Sequence, residues 1–279
     1  MFGSTSPGPV PAGHPWAALS LGACRWLWAG LSLRVCGVNA VVAVCVCSDY
    51  FQVDEGGELC LKAGSMGLRQ VVTFKEPGTW QFRKGDYPWA ARVMVRVQGG
   101  GGGSAGANAA ANQCIARPGG AGGGYAESLL DVSALGAVET VVVGPGGTAG
   151  TGNSPGGAGG ASAFGGFVVG QGGDGGTAAQ SSGVAPDAVQ GPAGPLAGSG
   201  QWATGGGAGG VGARLAGNNG FSGAGGESRL GHGGLSRAAE GPGTAPRGYG
   251  GGAGGALSYG AAENGAEGGS GIVIVWLLG

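Results

Sequence analysis

The chain has 279 residues, of which 73 are glycine and only 10% are charged, and its formal net charge is −1. Such a neutral chain creates no long-range field to recruit nucleic acid or an anionic membrane. Because glycine loses the most backbone freedom on ordering and buries no side chain, this composition is compatible either with disorder or with segments packed through backbone hydrogen bonds.

Residues 1–48 form a leader that differs from the rest. Residues 1–15 are rich in Gly, Pro and Ser, and residues 16–47 are apolar but interrupted by Arg25 and Arg34. The longest uncharged run that begins within this apolar segment, 35–48, is shorter than the roughly 20 residues of a membrane span. Positive charges lie inside the apolar segment and not before it, which argues against a signal peptide. We expect this leader to be disordered or not native, the latter if Met1 is not the true start.

Residues 49–98 predict a small antiparallel β base. Short β-branched or aromatic segments alternate there with Gly, Pro and Asp turns, and 51–62 has the pattern of a hairpin. The strongest segment, 91–98, alternates valines with Arg, Met and Gln, which is typical of a half-buried strand. Residues 271–278 form the only other strand of similar strength, so we expect the two to pair. The other predicted strands are 51–53, 58–62, 69–74 and 79–82.

Residues 99–279 predict a glycine-rich body closed by the C-terminal strand 271–278. Glycine makes up 61 of the 181 residues after residue 98 but only 12 of the 98 before it. The glycine runs have no fixed period, which excludes a solenoid of equal repeats. Low charge and short apolar segments between the runs favour order over disorder. We expect extended threefold helices of the polyglycine II type, bundled through their backbones, and a hairpin at 125–143 on the flank of the body.

Motifs that could carry catalysis or metal binding are weak. Ser104 and Ser154 satisfy the nucleophile-elbow pattern, but no helix-forming sequence follows either serine, and abundant glycine makes chance matches common. Asp174 lacks the repeat that cages calcium, and His232 is one of only two histidines. Cys45 and Cys47 lack the usual zinc spacing, so the six cysteines are interpreted as free or incidentally paired thiols. We therefore expect no enzymatic activity, metal or cofactor.

Bulky side chains in the inserts predict contact surfaces. Aromatic residues and arginine concentrate affinity at interfaces, and both types lie on a body that otherwise has few large side chains. Phe164 and Phe167, close to a glycine run, are expected to pack inside, whereas Trp202, Tyr249 and Tyr259 lie in longer inserts and are expected to be exposed. Arg229 lies in the same region. The predicted contact residues are Trp202, Arg214, Phe221, Arg237, Arg247, Tyr249 and Tyr259.

Several segments together resemble the glycine-rich domain of bacteriophage and prophage minor tail proteins and tail fibres. They are Thr-Phe-Lys-Glu-Pro-Gly-Thr-Trp at 73–80, the strand 91–98 running into five glycines, Glu-Thr-Val-Val-Val-Gly-Pro-Gly-Gly at 139–147, and a glycine run at 250–255 followed by Gly-Ser-Gly-Ile-Val-Ile-Val-Trp at 269–276. The resemblance covers about residues 70–279 and includes the order of the elements as well as the glycine content. Residues 1–68 lie outside it.

The resemblance implies a virion protein at the tail tip, or a prophage-encoded particle in a bacterial host. In related adhesins a sandwich of polyglycine II helices presents distal loops to the host surface. The same function is expected here, with a bacterial surface glycan or protein as partner, attachment to other tail proteins through the β base, and a homotrimer by analogy with tail fibres. The alternatives are a structural virion or cell-wall protein that binds no ligand, and a bacterial surface protein with Gly-Gly-x repeats.

Overall fold

The structure, a computed structural model, describes residues 66–279 without a break and, before them, only the strands of the N-terminal region. The chain divides into two units, the second of which is Leu68–Leu278. Of the leader 1–48, predicted to be disordered or not native, residues 1–18 lie outside the described residues, whereas the described segments within 19–47 are strands of the first unit. The strands are β1 (Leu19–Leu21), β2 (Cys24–Val35), β3 (Val38–Cys47), β4 (Phe51–Val53) and β5 (Leu59–Leu61).

The strands of the first unit form two antiparallel groups. β2 pairs with β1 on one side and with β3 on the other. β4 pairs with β5, so that Phe51 is opposite Leu61 and Val53 is opposite Leu59. The predicted pairing of these two short strands is therefore confirmed.

The second unit is almost entirely β or irregular, as predicted. Its regular helical segments, Lys84–Asp86 and Val132–Ala134, are single 3₁₀ turns. No helix in the described part of the chain is long and apolar enough to cross a membrane. The strands are β6 (Leu68–Phe74), β7 (Gly78–Arg83), β8 (Arg92–Gln98), β9 (Ala107–Asn108), β10 (Ile115–Ala116), β11 (Tyr125–Asp131), β12 (Val138–Val143), β13 (Ser162–Phe164), β14 (Val168–Gly170), β15 (Asp187–Val189), β16 (Trp202–Thr204), β17 (Gly212–Ala216), β18 (Asn219–Phe221), β19 (Gly231–His232), β20 (Arg247–Gly248), β21 (Leu257–Ser258), β22 (Ala262–Glu263) and β23 (Ile272–Leu278).

Two antiparallel sheets pack face to face and form the β base. The larger sheet has the order β16-β11-β8-β23-β6, and the smaller has the order β14-β13-β12-β7. Val93, Val95 and Val97 of β8 point inward and pack with Phe82 and Phe164 of the smaller sheet. The expected pairing of the C-terminal strand is confirmed, because β23 lies beside β8 with Val275 opposite Val95. The base therefore draws strands from several parts of the chain outside 49–98.

The segment 125–143 is not the predicted hairpin. β11 pairs with β8 and β16 in the larger sheet, whereas β12 pairs with β7 and β13 in the smaller one. The 3₁₀ turn between them and the buried Leu135 carry the chain from one sheet to the other across the sandwich. The prediction was wrong because period-two alternation identifies two strands but does not say whether they pair with each other.

The glycine runs form the polyglycine II bundle that the sequence predicts. In the central run, 99–104, the backbone N–H groups donate in rotation to three neighbouring runs. Gly99 and Gly102 donate to one neighbour, Gly100 and Gly103 to a second, and Gly101 to a third. The carbonyls of the same run accept from three further runs, so that six neighbours surround it. This three-residue repeat is the period of the extended helix itself.

Close packing explains why these positions are glycine. A Cβ on any of the five glycines 99–103 would lie 2.0–2.1 Å from a backbone carbonyl oxygen of a neighbouring run. The adjacent run 118–124 repeats the pattern, since Gly119 and Gly122 donate to the run at 207–210, and Ala121 and Gly124 donate to the run at 171–174. The runs 99–104 and 118–124 are fully buried, so the interior of the body is made of hydrogen-bonded backbone rather than of apolar side chains.

Candidate functional site

The first candidate surface forms around Trp202 and is named here the Trp202 patch. β16 places Trp202 at the edge of the larger sheet, opposite Glu127 of β11, and its side chain is 46% exposed. The indole packs edge-on against Tyr125 with ring centroids 5.6 Å apart. Tyr125 donates its hydroxyl to Glu127 Oε2 at 2.7 Å, and this carboxylate also lies 3.4 Å from Arg96 Nε. The Trp202 side chain is thus packed against ordered aromatic and polar side chains.

Segment 227–232 of the glycine body completes the Trp202 patch. The guanidinium of the exposed Arg229 lies 5.5 Å from the Trp202 ring centroid, a cation–π arrangement. Tyr249 N donates to Leu230 O, and the Ser228 hydroxyl donates to Tyr249 O at 2.6 Å. These bonds fix Tyr249 beside the same segment.

A short strand pair places a further predicted contact residue beside segment 227–232. The exposed Arg247 stands opposite His232 in the β19–β20 pair. His232 in turn contacts Glu227 Oε2 through Nδ1 at 2.8 Å, and both side chains are exposed. The predicted contact residues Trp202, Arg247 and Tyr249 therefore lie around one segment, 227–232, and Tyr249 is only partly exposed.

A second group of predicted residues gathers around 220–222 and is named the Phe221 patch. Phe221 ends β18 and its ring is exposed. Arg237 donates its backbone N–H to Ser222 Oγ at 2.9 Å, and its carbonyl accepts from Ser222 N. Tyr259 reaches Gly220 O with its hydroxyl at 3.2 Å while its ring packs against a small buried cluster, so Tyr259 is only partly exposed.

The loop beneath the Phe221 patch is fixed by a carboxylate. Glu240 Oε1 accepts the backbone N–H of Ala261 at 2.9 Å and also that of Tyr259. These N–H donors lower the pKa of Glu240. The loop that carries Tyr259 is therefore anchored independently of any ligand.

The placement of Arg214 corrects its assignment as an exposed contact residue. Arg214 is 7% exposed, and its guanidinium donates to the carbonyls of Cys114, Ser181 and Ala185 while approaching Asp187 at 3.5 Å. Because a buried guanidinium must satisfy its donors inside the protein, Arg214 joins three segments of the body and has little surface left for a ligand.

A second arginine is buried more completely. Arg117 has no exposed surface and donates to Gly106 O, Gln180 O and Asn153 Oδ1 at 2.7–2.8 Å. Burial lowers its pKa to about 10. Arg117 follows the buried strand β10, and it is fixed by carbonyl and amide oxygens rather than by a carboxylate.

The remaining predicted side chains take structural positions. Phe164 is fully buried in the sandwich core, as predicted, whereas Phe167 is only partly buried against this core. Ser104 is buried within the central glycine run, where its hydroxyl accepts the N–H of Ala266. Asp174 contributes its backbone carbonyl to the bundle by accepting from Ala121 N. Among residues 66–279, no three His, Cys, Asp or Glu side chains group as metal ligands would.

The sequence interpretation missed the polar support of the Trp202 patch. Tyr125 and Glu127 lie two residues apart on β11, so period two places them on one face, where the register brings Arg96 opposite Glu127. The period-two alternation along 125–131 would have been enough to place Tyr125 and Glu127 on the same face. It could not have shown that β16, more than 70 residues later, would pair beside them.

The fold defines a class of protein in which a β-sandwich base supports a polyglycine II body with exposed loops. Residues 78–277 match the family model described as a glycine-rich domain, and the chain belongs to this family. No curated protein matches the chain.

Proposed function

We propose that this chain is a non-enzymatic tail protein of a bacteriophage or prophage, located at the tail tip, that binds the surface of a host bacterium. Its support is the resemblance of residues 70–279 to glycine-rich tail proteins and membership of the glycine-rich domain family. In this proposal the β base attaches to other tail proteins, copies assemble as in a homotrimeric fibre, and the glycine body presents the contact residues.

The observation that carries the proposal is the convergence of Trp202, Arg247 and Tyr249 around segment 227–232, with Arg229 over the indole. An exposed tryptophan fixed by packed neighbours loses little conformational freedom on binding, and aromatic and arginine side chains dominate interface energetics. A sugar ring or a flat protein surface can stack on the exposed indole while the nearby carboxylate and guanidinium groups hydrogen-bond to it. The Trp202 patch is therefore the proposed receptor-contact surface.

Adsorption to bacterial envelopes tests the proposal. The full chain is incubated with cell-wall sacculi from Gram-positive strains and outer-membrane vesicles from Gram-negative strains, and the bound fraction is measured after sedimentation. We expect retention on at least one envelope and at least a tenfold weaker retention for Trp202→Ala. Leu196→Ala is the matched control, because Leu196 is 87% exposed and lies in neither patch.

The outcomes separate the proposal from the structural alternative. If the folded chain is retained by no envelope, it fits a structural glycine-rich protein without a ligand and the receptor proposal fails. If Phe221→Ala rather than Trp202→Ala abolishes retention, the contact surface is the Phe221 patch and the assignment to Trp202 is wrong. Tail-assembly genes beside the gene for this chain would independently support the phage assignment.

A further inference from the structure

The C-terminal strand is apolar on both of its faces. Every residue of β23, Ile-Val-Ile-Val-Trp-Leu-Leu, is apolar. Val273, Val275 and Leu277 fill the sandwich core, whereas Ile274, Trp276 and Leu278 alternate with them on the opposite face and stay partly exposed. Antiparallel strands with one solvated face normally alternate apolar with polar residues, and continuous apolar runs are typical of strands covered on both sides.

Neighbouring strands extend this apolar surface across the larger sheet. The register aligns Trp276 with Met94 of β8 and Val71 of β6, and it aligns Met94 with Leu129 of β11. Because directly paired residues project to the same side of a sheet, these four side chains form one apolar row, in which Val71 is 45% exposed. We call the side of the larger sheet that carries this row and Ile274 the outer face.

The row next to it on the outer face carries paired charges and an unsatisfied donor. Arg96 lies between Glu127 and Ile274 in the register, and its guanidinium stacks 4.1 Å from the Trp276 ring centroid. Arg96 Nε is buried and has no hydrogen-bond acceptor, since its 3.4 Å approach to Glu127 does not have hydrogen-bond geometry. The rest of the Arg96 side chain is 33% exposed, so a partner can bring a carboxylate or carbonyl to the accessible part of its guanidinium, where a charged donor forms the stronger hydrogen bonds.

We propose that the outer face is the contact surface between copies of this chain. A second copy supplies the same apolar row and the same alternation of positive and negative charge, so the Glu127 carboxylate of one copy can approach the Arg96 guanidinium of another while the apolar rows meet. The Trp202 patch borders the outer face, because Trp202 stands opposite Glu127 in the register. The apolar row of Val71, Trp276, Met94 and Leu129 does not include Trp202, so the inference does not depend on what segment 227–232 binds.

The dimensions of the sheet set the expected strength of the contact. Five strands about 4.8 Å apart and three exposed rows about 6.8 Å apart give a face of roughly 24 by 20 Å. Two such faces bury about 1,000 Å² together, which is close to the lower limit for a specific protein interface. Association is therefore expected to depend on concentration in the micromolar range.

Light scattering coupled to size-exclusion chromatography tests the proposal on the full chain from about 1 to 100 μM. One copy has a mass of 26.4 kDa. Because the same face of each copy takes part, each contact joins two copies. We expect the average mass to rise with concentration toward twice its value at the lowest concentration, and Val71→Lys or Leu129→Lys to weaken association at least tenfold. Both positions are partly exposed in a single copy, so the introduced lysine can be solvated there. Leu196→Lys is the matched control and should associate like the wild type.

Several outcomes would overturn the proposal. A mass of one copy at every concentration, with native circular dichroism, would show that the outer face joins no second copy, whether it stays bare or is covered by another part of the same chain or by a different protein. Equal association of Val71→Lys, Leu129→Lys and the wild type would place the contact elsewhere. Equal loss of association in Leu196→Lys would show that added charge acts nonspecifically. Amide exchange compared for each variant excludes unfolding as the cause.

Discussion

Replacing one central glycine by alanine should destabilise the whole body. Gly102 lies in the innermost run, and a Cβ there would stand 2.0 Å from Asp174 O and 2.5 Å from the carbonyl carbon of the same residue. Ordinary contact requires roughly 3.5 Å. The obstacle is backbone, which cannot rotate away as the end of a side chain can, so the two runs must separate by about 1 Å or more.

The hydrogen bonds at stake set the size of the effect. Separation strains the bond from Gly102 N to Ala121 O at 2.8 Å, the bond from Ala253 N to Gly102 O at 2.9 Å, and the bond from Ala121 N to Asp174 O at 2.8 Å. A buried group left unpaired costs about 1–3 kcal/mol, and alanine returns about 0.4–1 kcal/mol by restricting the unfolded chain. We expect Gly102→Ala to lower the free energy of unfolding by roughly 3–5 kcal/mol, a large part of the 5–15 kcal/mol typical of a domain.

Urea unfolding followed by circular dichroism measures this change. Gly166→Ala is the matched control, because a Cβ at Gly166 meets nothing within 4 Å and its φ is not in the left-handed region, so its free energy of unfolding should change by less than about 0.5 kcal/mol. If Gly102→Ala loses less than about 1 kcal/mol, the central run is not packed as closely as the structure places it. The explanation of its glycines by close approach would then be wrong.

Two buried polar groups give further predictions. Arg117→Met should lower the free energy of unfolding in urea by about 2–5 kcal/mol, because Gly106 O and Gln180 O lose their donor and Asn153 Oδ1 loses one of its two; an unchanged value would refute this. Burial, followed by the hydrogen bond to Glu127, raises the pKa of Tyr125 above its usual value of 10.0. The unfolded phenol therefore loses its proton first, and the free energy of unfolding should fall above about pH 10. Tyr125→Phe should show a shallower fall in urea titrations from pH 8 to 11, and an identical slope would contradict the assignment.

The sequence predicted the features that depend on local pattern. The alternation of valines in β8 and the apolar run of β23 are each strong enough to define a strand. The rest of the sequence predicts only weaker strands, so these two were expected to pair with each other. Glycine content together with low charge also predicted a packed body. Each of these inferences uses properties that neighbouring residues share, so no knowledge of distant pairing was needed.

The pairing of strands and the burial or exposure of single side chains depend on distant parts of the chain. Two strands joined by a short connection normally form a hairpin, yet β11 and β12 separate because β8 and β7 already offer edges in different sheets. Arg214 and Arg247 both lie between glycine-rich inserts. Arg214 is buried because Cys114, Ser181 and Ala185 bring carbonyls to it from segments far away in sequence. Nothing beside either arginine in sequence predicts this difference.

The bundle explains how a chain with so few large side chains can hold the proposed contact residues in place. The central run 99–104 is bonded to six neighbours, so moving one loop requires breaking backbone bonds in several runs. Inserts between runs are attached to this lattice at both ends, as segment 227–232 is by Gly226 N bonding to Gly120 O and Gly234 N bonding to Gly252 O. Because the lattice consists mainly of backbone bonds, most side chains in the inserts can change without altering the bonds that position them. A body of this kind suits a protein whose exposed residues must vary while its scaffold stays constant.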